Sequence, residues 1–343
     1  PDLSARSRID PIEPRAIDAY TLGVTHLDRF TPDGVRIAIE QFKTAVAIEP
    51  EFAPAWGQLS VSYAMDGMFG FAHPGESIEK ARVASLKAVE ADDRLSLGHA
   101  GLGFIQLWTG EFDGACESFQ EALRLNPSAA YAMHGEADCL MLDGRMEESL
   151  TRLRELVMVS PFFAIHSLPL PIHLYMAGRL DEAIIAIKDM QVRVPHFPMH
   201  WVLALIYWEQ GRFDEALEEE RLFLKRRGDT ALLAILEDGL ATAGPRGAMR
   251  GMAEALAGRA TETFVDPLLI GETYARAGMV DEALHWLDKA ARAGSFKMTY
   301  FAFWPHLDVV RDDPRYRDLL QLVYGERAEE IMRVSSARRP QRQ

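Results

Sequence analysis

The sequence predicts an all-α solenoid: about eight helix–turn–helix repeats stacked into a superhelix and closed by a C-terminal capping helix. Three observations carry this. Six glycines, Gly110, Gly144, Gly178, Gly211, Gly244 and Gly278, follow one another at intervals of 34, 34, 33, 33 and 34 residues. All but one are followed by a segment with small and apolar residues at helical spacing, as in GEFDGACESFQEALRLNP. At 343 residues the chain also exceeds a single hydrophobic core, which favours several domains or one elongated array. A fixed period of a few tens of residues marks stacked units that each bury their apolar face against a neighbour.

The chemistry inside one unit explains the period. In the third unit His99, Leu102, Gly103 and Gln106 mark a first helix, Gly110 makes the turn, and Ala115, Phe119 and Ala122 mark a second helix that stops before Pro127. Small residues let the two helices approach closely while a large apolar one fills the space between them. Asp113, Glu147, Asp181, Asp214 and Asp281 fall just after the turn, where a carboxylate caps or faces the positive end of the second helix. Their expected role is structural.

The units are laid out as follows. Residues 1–14 read as linker, and the array runs over 15–50, 53–93, 96–127, 130–161, 164–195, 197–228, 230–259 and 264–295, the seventh unit being degenerate. In the second unit the stretch AMDGMFGFAHPGE lengthens the turn, and its Met65, Met68, Phe69 and Phe71 are too apolar for a solvated loop. They predict packing on the array or a homotypic contact through the Met65–Phe71 turn. In the fifth unit Pro169 and Pro171 remove backbone donors and should bend or delay the first helix. Residues 296–334 lack the repeat spacing but offer Asp313 as an N-cap, Pro314 at the first helical position, then Tyr316, Leu319 and Leu320. This reads as the cap over the last repeat's apolar face, and 335–343 as a disordered tail.

With Gly110, Ala115, Phe119 and Ala122 repeated at this spacing, the chain resembles the tetratricopeptide-repeat family. A narrower resemblance comes from IDAYTLGVTHLDRFTPDGVRIAIEQFKTAVAIEPEFAPAWGQL, from the long turn with HPGESIEKARVASLKAVEADDRLSLGHAGLGF, and from LDVVRDDPRYRDLL. Over about 17–324 these look like tetratricopeptide modules that lie carboxy-terminal to bacterial effectors: CadC-like winged-helix regulators, class III nucleotide cyclases and Ser/Thr kinases. The resemblance implies a regulatory or sensing module. No effector motif is present in this sequence, neither a phosphate-binding P-loop, nor a kinase catalytic loop, nor a basic recognition helix.

Composition narrows the partners. A formal charge of −14 opposes binding to a phosphate backbone, and favours a basic or apolar partner. No run of about 18 apolar residues is present, so no membrane span is expected. Two cysteines, Cys116 and Cys139, give no disulfide framework; they read as buried free thiols in a cytoplasmic protein. The first residue, Pro1, suggests processing or a fragment of a longer chain.

In such an array the first helices line the concave face, and the register places Phe104, Trp108, Tyr131, His134, Asp138, Met141, Tyr175, Trp201 and Trp208 there. Aromatic residues and Met are enriched where a protein anchors a partner's side chains, so these nine are the candidate partner-binding residues. The Lys, Arg and Asn clamp that grips chaperone carboxy-termini is missing. The expected function is a protein-interaction scaffold or sensory module; the alternative is a small-molecule sensor controlling a fused or associated effector. No cofactor is called for. His196 with His200, and His166 with His173, have helical spacing but no Cys or carboxylate at metal-ligand spacing. His134 and Asp138 form an i, i+4 pair to which no nucleophile can be assigned, so the chain is not read as an enzyme.

Overall fold

A computed structural model describes residues 12–29, 31–68, 73–197 and 199–337. All described regular structure is helical. The helices pair in sequence order: α1 (Pro14–Leu27) with α2 (Pro32–Ile48), α3 (Ala53–Met68) with α4 (Pro74–Ala91), α5 (Ser96–Trp108) with α6 (Phe112–Leu125), and α7 (Ala130–Leu142) with α8 (Met146–Val159). In the fifth pair the first helix is split into α9 (Ala164–Ser167) and α10 (Pro169–Met176), which pack on α11 (Leu180–Arg193). The break falls at Pro169 and Pro171, whose rings carry no N–H to continue the ladder. Next come α12 (His200–Glu209) with α13 (Phe213–Arg227), and α14 (Thr230–Arg259), which folds back on itself at Gly244 (φ 68°, ψ −166°). Then α15 (Pro267–Ala277) pairs with α16 (Val280–Arg292).

The recurring glycines have one local cause. Gly110, Gly144, Gly178, Gly211, Gly244 and Gly278 all take φ between 68° and 83°. A positive φ costs any residue with a Cβ about 1 kcal/mol or more; at Gly278 it is the left-handed helical end of α15, and at Gly244 it comes with ψ −166° where α14 folds back. A second constraint is close approach. A Cβ on Gly103 would lie 2.6 Å from the Phe119 ring, and one on Gly135 only 2.1 Å from it. Phe119 is thus clasped between α5 and α7, and its neighbours must lack side chains.

The acidic residues after each turn do not act as side-chain caps. The N-cap positions of α6, α8, α11, α13 and α16 are Glu111, Arg145, Arg179, Arg212 and Met279, none with a side-chain cap bond. Asp113, Glu147, Asp181, Asp214 and Asp281 lie two residues further on, inside the first turn, where they face the helix dipole. Three of them also reach the next unit: Glu147 pairs with Arg179 at 2.9 Å, Asp181 accepts from Gln210 at 2.9 Å, and Asp281 pairs with Arg315 at 2.6 Å.

Two further expectations meet the structure here. Cys116 on α6 and Cys139 on α7 are joined in a disulfide, with Cα atoms 5.9 Å apart, and are not free thiols. The sequence puts them 23 residues apart, and only the packing of α6 on α7 brings them together. The cysteine-based argument for a cytoplasmic location falls with the free thiols. In the long second turn, Met65 is buried and Met68 packs on the core, while Phe69 and Phe71 lie outside the described residues. No described helix is long and apolar enough to cross a membrane.

Candidate functional site

The C-terminal segment decides what the inner face of the array offers. After α16 the chain runs through two 3-10 stretches, Phe296–Phe303 and Pro305–Val310, then α17 (Pro314–Tyr324), a 3-10 turn (Gly325–Arg327) and α18 (Ala328–Ala337). Asp313 accepts from the Arg315 N–H and Pro314 opens α17. Instead of only covering the last pair, this segment returns along the inner helices. Phe296 stacks on Trp108 of α5 at 4.8 Å with the rings 2° from parallel, and a Cβ on Gly67 of α3 would lie 2.8 Å from it. Tyr300 donates to Asp138 of α7 at 2.9 Å. Tyr175 Oη of α10 lies 2.9 Å from His306 Nδ1. Further on, Arg327 pairs with Asp143 at 2.6 Å, and Val334 packs against Gly144.

Apolar burial holds the segment in place. Phe296, Met298, Phe301, Phe303, Trp304, Leu307 and Val310 are all buried in one core with residues of α5, α7, α10, α12 and α15. Each such side chain contributes about 1.5–3 kcal/mol of transfer free energy. The sequence signal for this was the aromatic run FKMTYFAFWPHLDVV itself, too apolar for a surface cap.

The nine residues predicted to line the inner face divide accordingly. Phe104, Trp108, Asp138, Met141 and Tyr175 are buried, and Phe104, Trp108 and Phe296 form one stack. His134 sits 3.6 Å from Asp138, and burial pulls its imidazole pKa down against the pull of that carboxylate. Tyr131 lies edge-on to His166 at 4.7 Å. Trp201 and Trp208 are half-buried against the same core, with Trp208 edge-on to Phe213 of its own pair at 4.9 Å. The groove expected to be open is occupied, around Trp108, Asp138 and Tyr175, by the chain's own segment.

A buried polar network, not legible in the sequence, ties this together. Ser149 Oγ lies 2.9 Å from His173 Nδ1, and His173 Nε2 lies 3.0 Å from Asp138 Oδ1. With the proton on Nε2, His173 donates to Asp138 and accepts from Ser149. A Ser–His–Asp series activates a hydroxyl when the serine meets substrate. Here Ser149 is fully buried, and the second Asp138 oxygen is taken by Tyr300. The geometry therefore locks α7, α8 and α10 to the returning segment. The other paired histidines are engaged in the same manner: His166 Nδ1 lies 2.8 Å from Ser160 Oγ, and His200 Nδ1 lies 2.7 Å from Glu219. At the far end His306 Nε2 is 3.3 Å from Glu272, whose pKa burial pushes up but whose His306 partner brings it below the ordinary value.

Two exposed features lie away from this filled stretch. One groove of about 590 Å³ lies between α2, α3 and α4, lined by Val46, Trp56, Leu59, Tyr63 and Val83. A set of large apolar side chains also stands exposed at the end of α8, just after it, and on α11.

Residues 107–161 and 173–231 match the tetratricopeptide-repeat family. A search of curated proteins finds no match. Among solved structures the chain is similar to a thermophilic tetratricopeptide protein of Thermus thermophilus, at 18% identity over 52% of this chain and 92% of that one, with a TM-score of 0.42. It is also similar to PilF of Pseudomonas aeruginosa, at 15% identity over 62% and 91% with a TM-score of 0.39. The tetratricopeptide domain of P58(IPK) is matched at 14% identity over 94% of this chain and 98% of that one, with a TM-score of 0.30. Residues 107–161 and 173–231 thus carry tetratricopeptide repeats, and helix pairs of the same kind continue on both sides of them.

Proposed function

We propose that the chain is a protein-interaction module that receives its partner on the outer surface and edges of the array. One observation carries the reading. Trp108 and Tyr175 of the inner helices are already engaged by the C-terminal segment, through Phe296 and Trp304, while other large apolar side chains remain exposed. Exposed apolar clusters on a folded protein mark contact sites. The same pairing favours a protein partner over a small ligand, because two of the rings that would enclose a ligand, Trp108 and Tyr175, are engaged by Phe296 and Trp304. The resemblance over about 17–324 to modules of bacterial regulators supports a place beside an effector such as a winged-helix, cyclase or kinase domain; that setting is part of the proposal.

The test is in-cell crosslinking of the tagged chain followed by mass spectrometry. Crosslinks should join one or a few proteins to outward-facing positions on the array. Recovery of the chain with no crosslinked protein, or crosslinks to a partner only through residues such as Trp108 and Tyr175, would overturn the reading.

A further inference from the structure

The most exposed large apolar side chains fall on α8, just after it, and on α11. Met158, Phe162, Ile185 and Val192 are 83%, 68%, 66% and 82% exposed, and Val159 and Phe163 stand beside them. The repeat relates their positions. Met158 and Val192 each fall fourteen residues after a turn glycine, Gly144 and Gly178, so they occupy the same place on the second helices of consecutive repeats. Arg154 of α8 and Glu182 of α11 lie 3.8 Å apart, consistent with that neighbourhood. At the same place the repeats on either side carry Arg124 and Lys225. Arg124 is itself paired with Glu121 at 2.6 Å, so the apolar edge is local to two repeats and bordered by cations on the α13 side.

The charge around it has the opposite sign to the chain as a whole. The last turn of α13 holds Lys225, Arg226 and Arg227, and all three are exposed. Arg226 donates to the His196 carbonyl at 2.6 Å, which pins this basic end beside the segment that follows Val192. Lys188 is exposed on α11 between Ile185 and Val192. The nearby carboxylates are already paired: Glu155 with Arg152 at 2.9 Å and Asp189 with Arg193 at 2.8 Å. Cations in a last helical turn also face the helix dipole, which accounts for Lys225 to Arg227 but not for Met158, Phe162 and Val192.

Resting on the reading of the chain as a protein-interaction module, we infer that this edge docks an acidic amphipathic protein segment, its apolar stripe on Met158, Phe162 and Val192 and its carboxylates toward Lys188, Lys225 and Arg227. Charge selects this occupant. A second copy of the chain on the same edge would oppose like charges across the contact. An anionic membrane would bring a wide charged plane against a chain of net charge −14, whereas a short acidic segment meets only this edge. An acidic segment meets the same long-range repulsion only until it is within about 8 Å, the screening length, where the local cations dominate.

The probe is a synthetic amphipathic helix with a leucine stripe flanked by glutamates, set against its lysine-flanked counterpart and against vesicles containing phosphatidylserine. The full chain should bind the acidic helix in preference to the basic one, with affinity falling as salt rises. The double variant Met158→Ser/Phe162→Ser should weaken binding about tenfold or more. Lys188→Glu/Lys225→Glu should weaken it and flatten the salt dependence. All four side chains are exposed, so both variants should melt like the parent. Equal binding of the two helices, parent-like binding by both variants, binding to vesicles only, or a dimer lost in the variants would each overturn the inference. If the in-cell crosslinks persist in both variants, the edge is wrong while the interaction reading stands; if the parent yields none, that reading fails first.

Discussion

Replacing Trp108 with alanine distinguishes a filled inner face from an open one. Trp108 is only 9% exposed, with Phe104 stacked at 5.3 Å on one side and Phe296 at 4.8 Å on the other. Truncating a buried tryptophan costs about 3–5 kcal/mol, because transfer free energy is lost and a cavity is left. Of this, about 0.5–1.5 kcal/mol belongs to the stack with Phe296, a contact spanning most of the chain. A double-mutant cycle isolates that share: Trp108→Ala and Phe296→Ala together should destabilise less than their sum by about the same 0.5–1.5 kcal/mol. The assay is urea unfolding followed by far-ultraviolet circular dichroism and by fluorescence in parallel, since a repeat array can lose two-state behaviour and the probes would then diverge. A loss below about 1 kcal/mol for Trp108→Ala, with strict additivity in the cycle, would mean that Trp108 faces solvent and the account of the inner face is wrong.

Three further outcomes follow from the same structure. Gly135→Ala places a Cβ 2.1 Å from the Phe119 ring and should cost about 1–3 kcal/mol or more by overpacking, read as a lowered urea midpoint, whereas Gly258→Ala, which meets nothing within 4 Å, should be neutral or slightly stabilising. Burial pulls the His166 pKa down to about 4, below its unfolded value of about 6.5. A group held neutral in the fold contributes stability that is whole above pH 6.5 and is lost as pH falls toward 4, here up to about 3 kcal/mol, so unfolding midpoints against pH should slope less steeply in His166→Asn. Thiol titration of the unfolded, unreduced protein should find no free cysteine, and reductant should lower stability by about 2–4 kcal/mol; two titratable thiols would contradict the Cys116–Cys139 bridge.

The repeat was legible because it obeys local rules. A left-handed turn residue and a Gly or Ala facing a large ring are needed in every unit, so Gly110 to Gly278 and pairs such as Gly103 with Phe119 recur in the sequence itself. The breaks at Pro169 and Gly244 were legible for the same reason, since each acts on its own backbone. What depended on distant contact was not. The partner of Asp138 was read as its i, i+4 neighbour His134, yet its two hydrogen bonds go to His173 and Tyr300, 35 and 162 residues away. The same holds for the disulfide and for Phe296 on Trp108. Periodicity placed these aromatics on the inner helices, but it carries no information on what returns to meet them. The exposed edge was missed because Met158 and Val192 look like ordinary helical apolar residues until their neighbours are known.

Residues 296–310 lie inside the array as part of its core. Hydrogen–deuterium exchange of the isolated full chain measures this most directly, using peptides that cover Phe296 to Val310. The account predicts protection in the absence of any partner, with opening free energies near those of α5 and α7, because the segment can exchange only when the inner helices release it. Exchange of this stretch at the rate of unstructured chain, with α5 and α7 still protected, would show an open inner face and contradict the account.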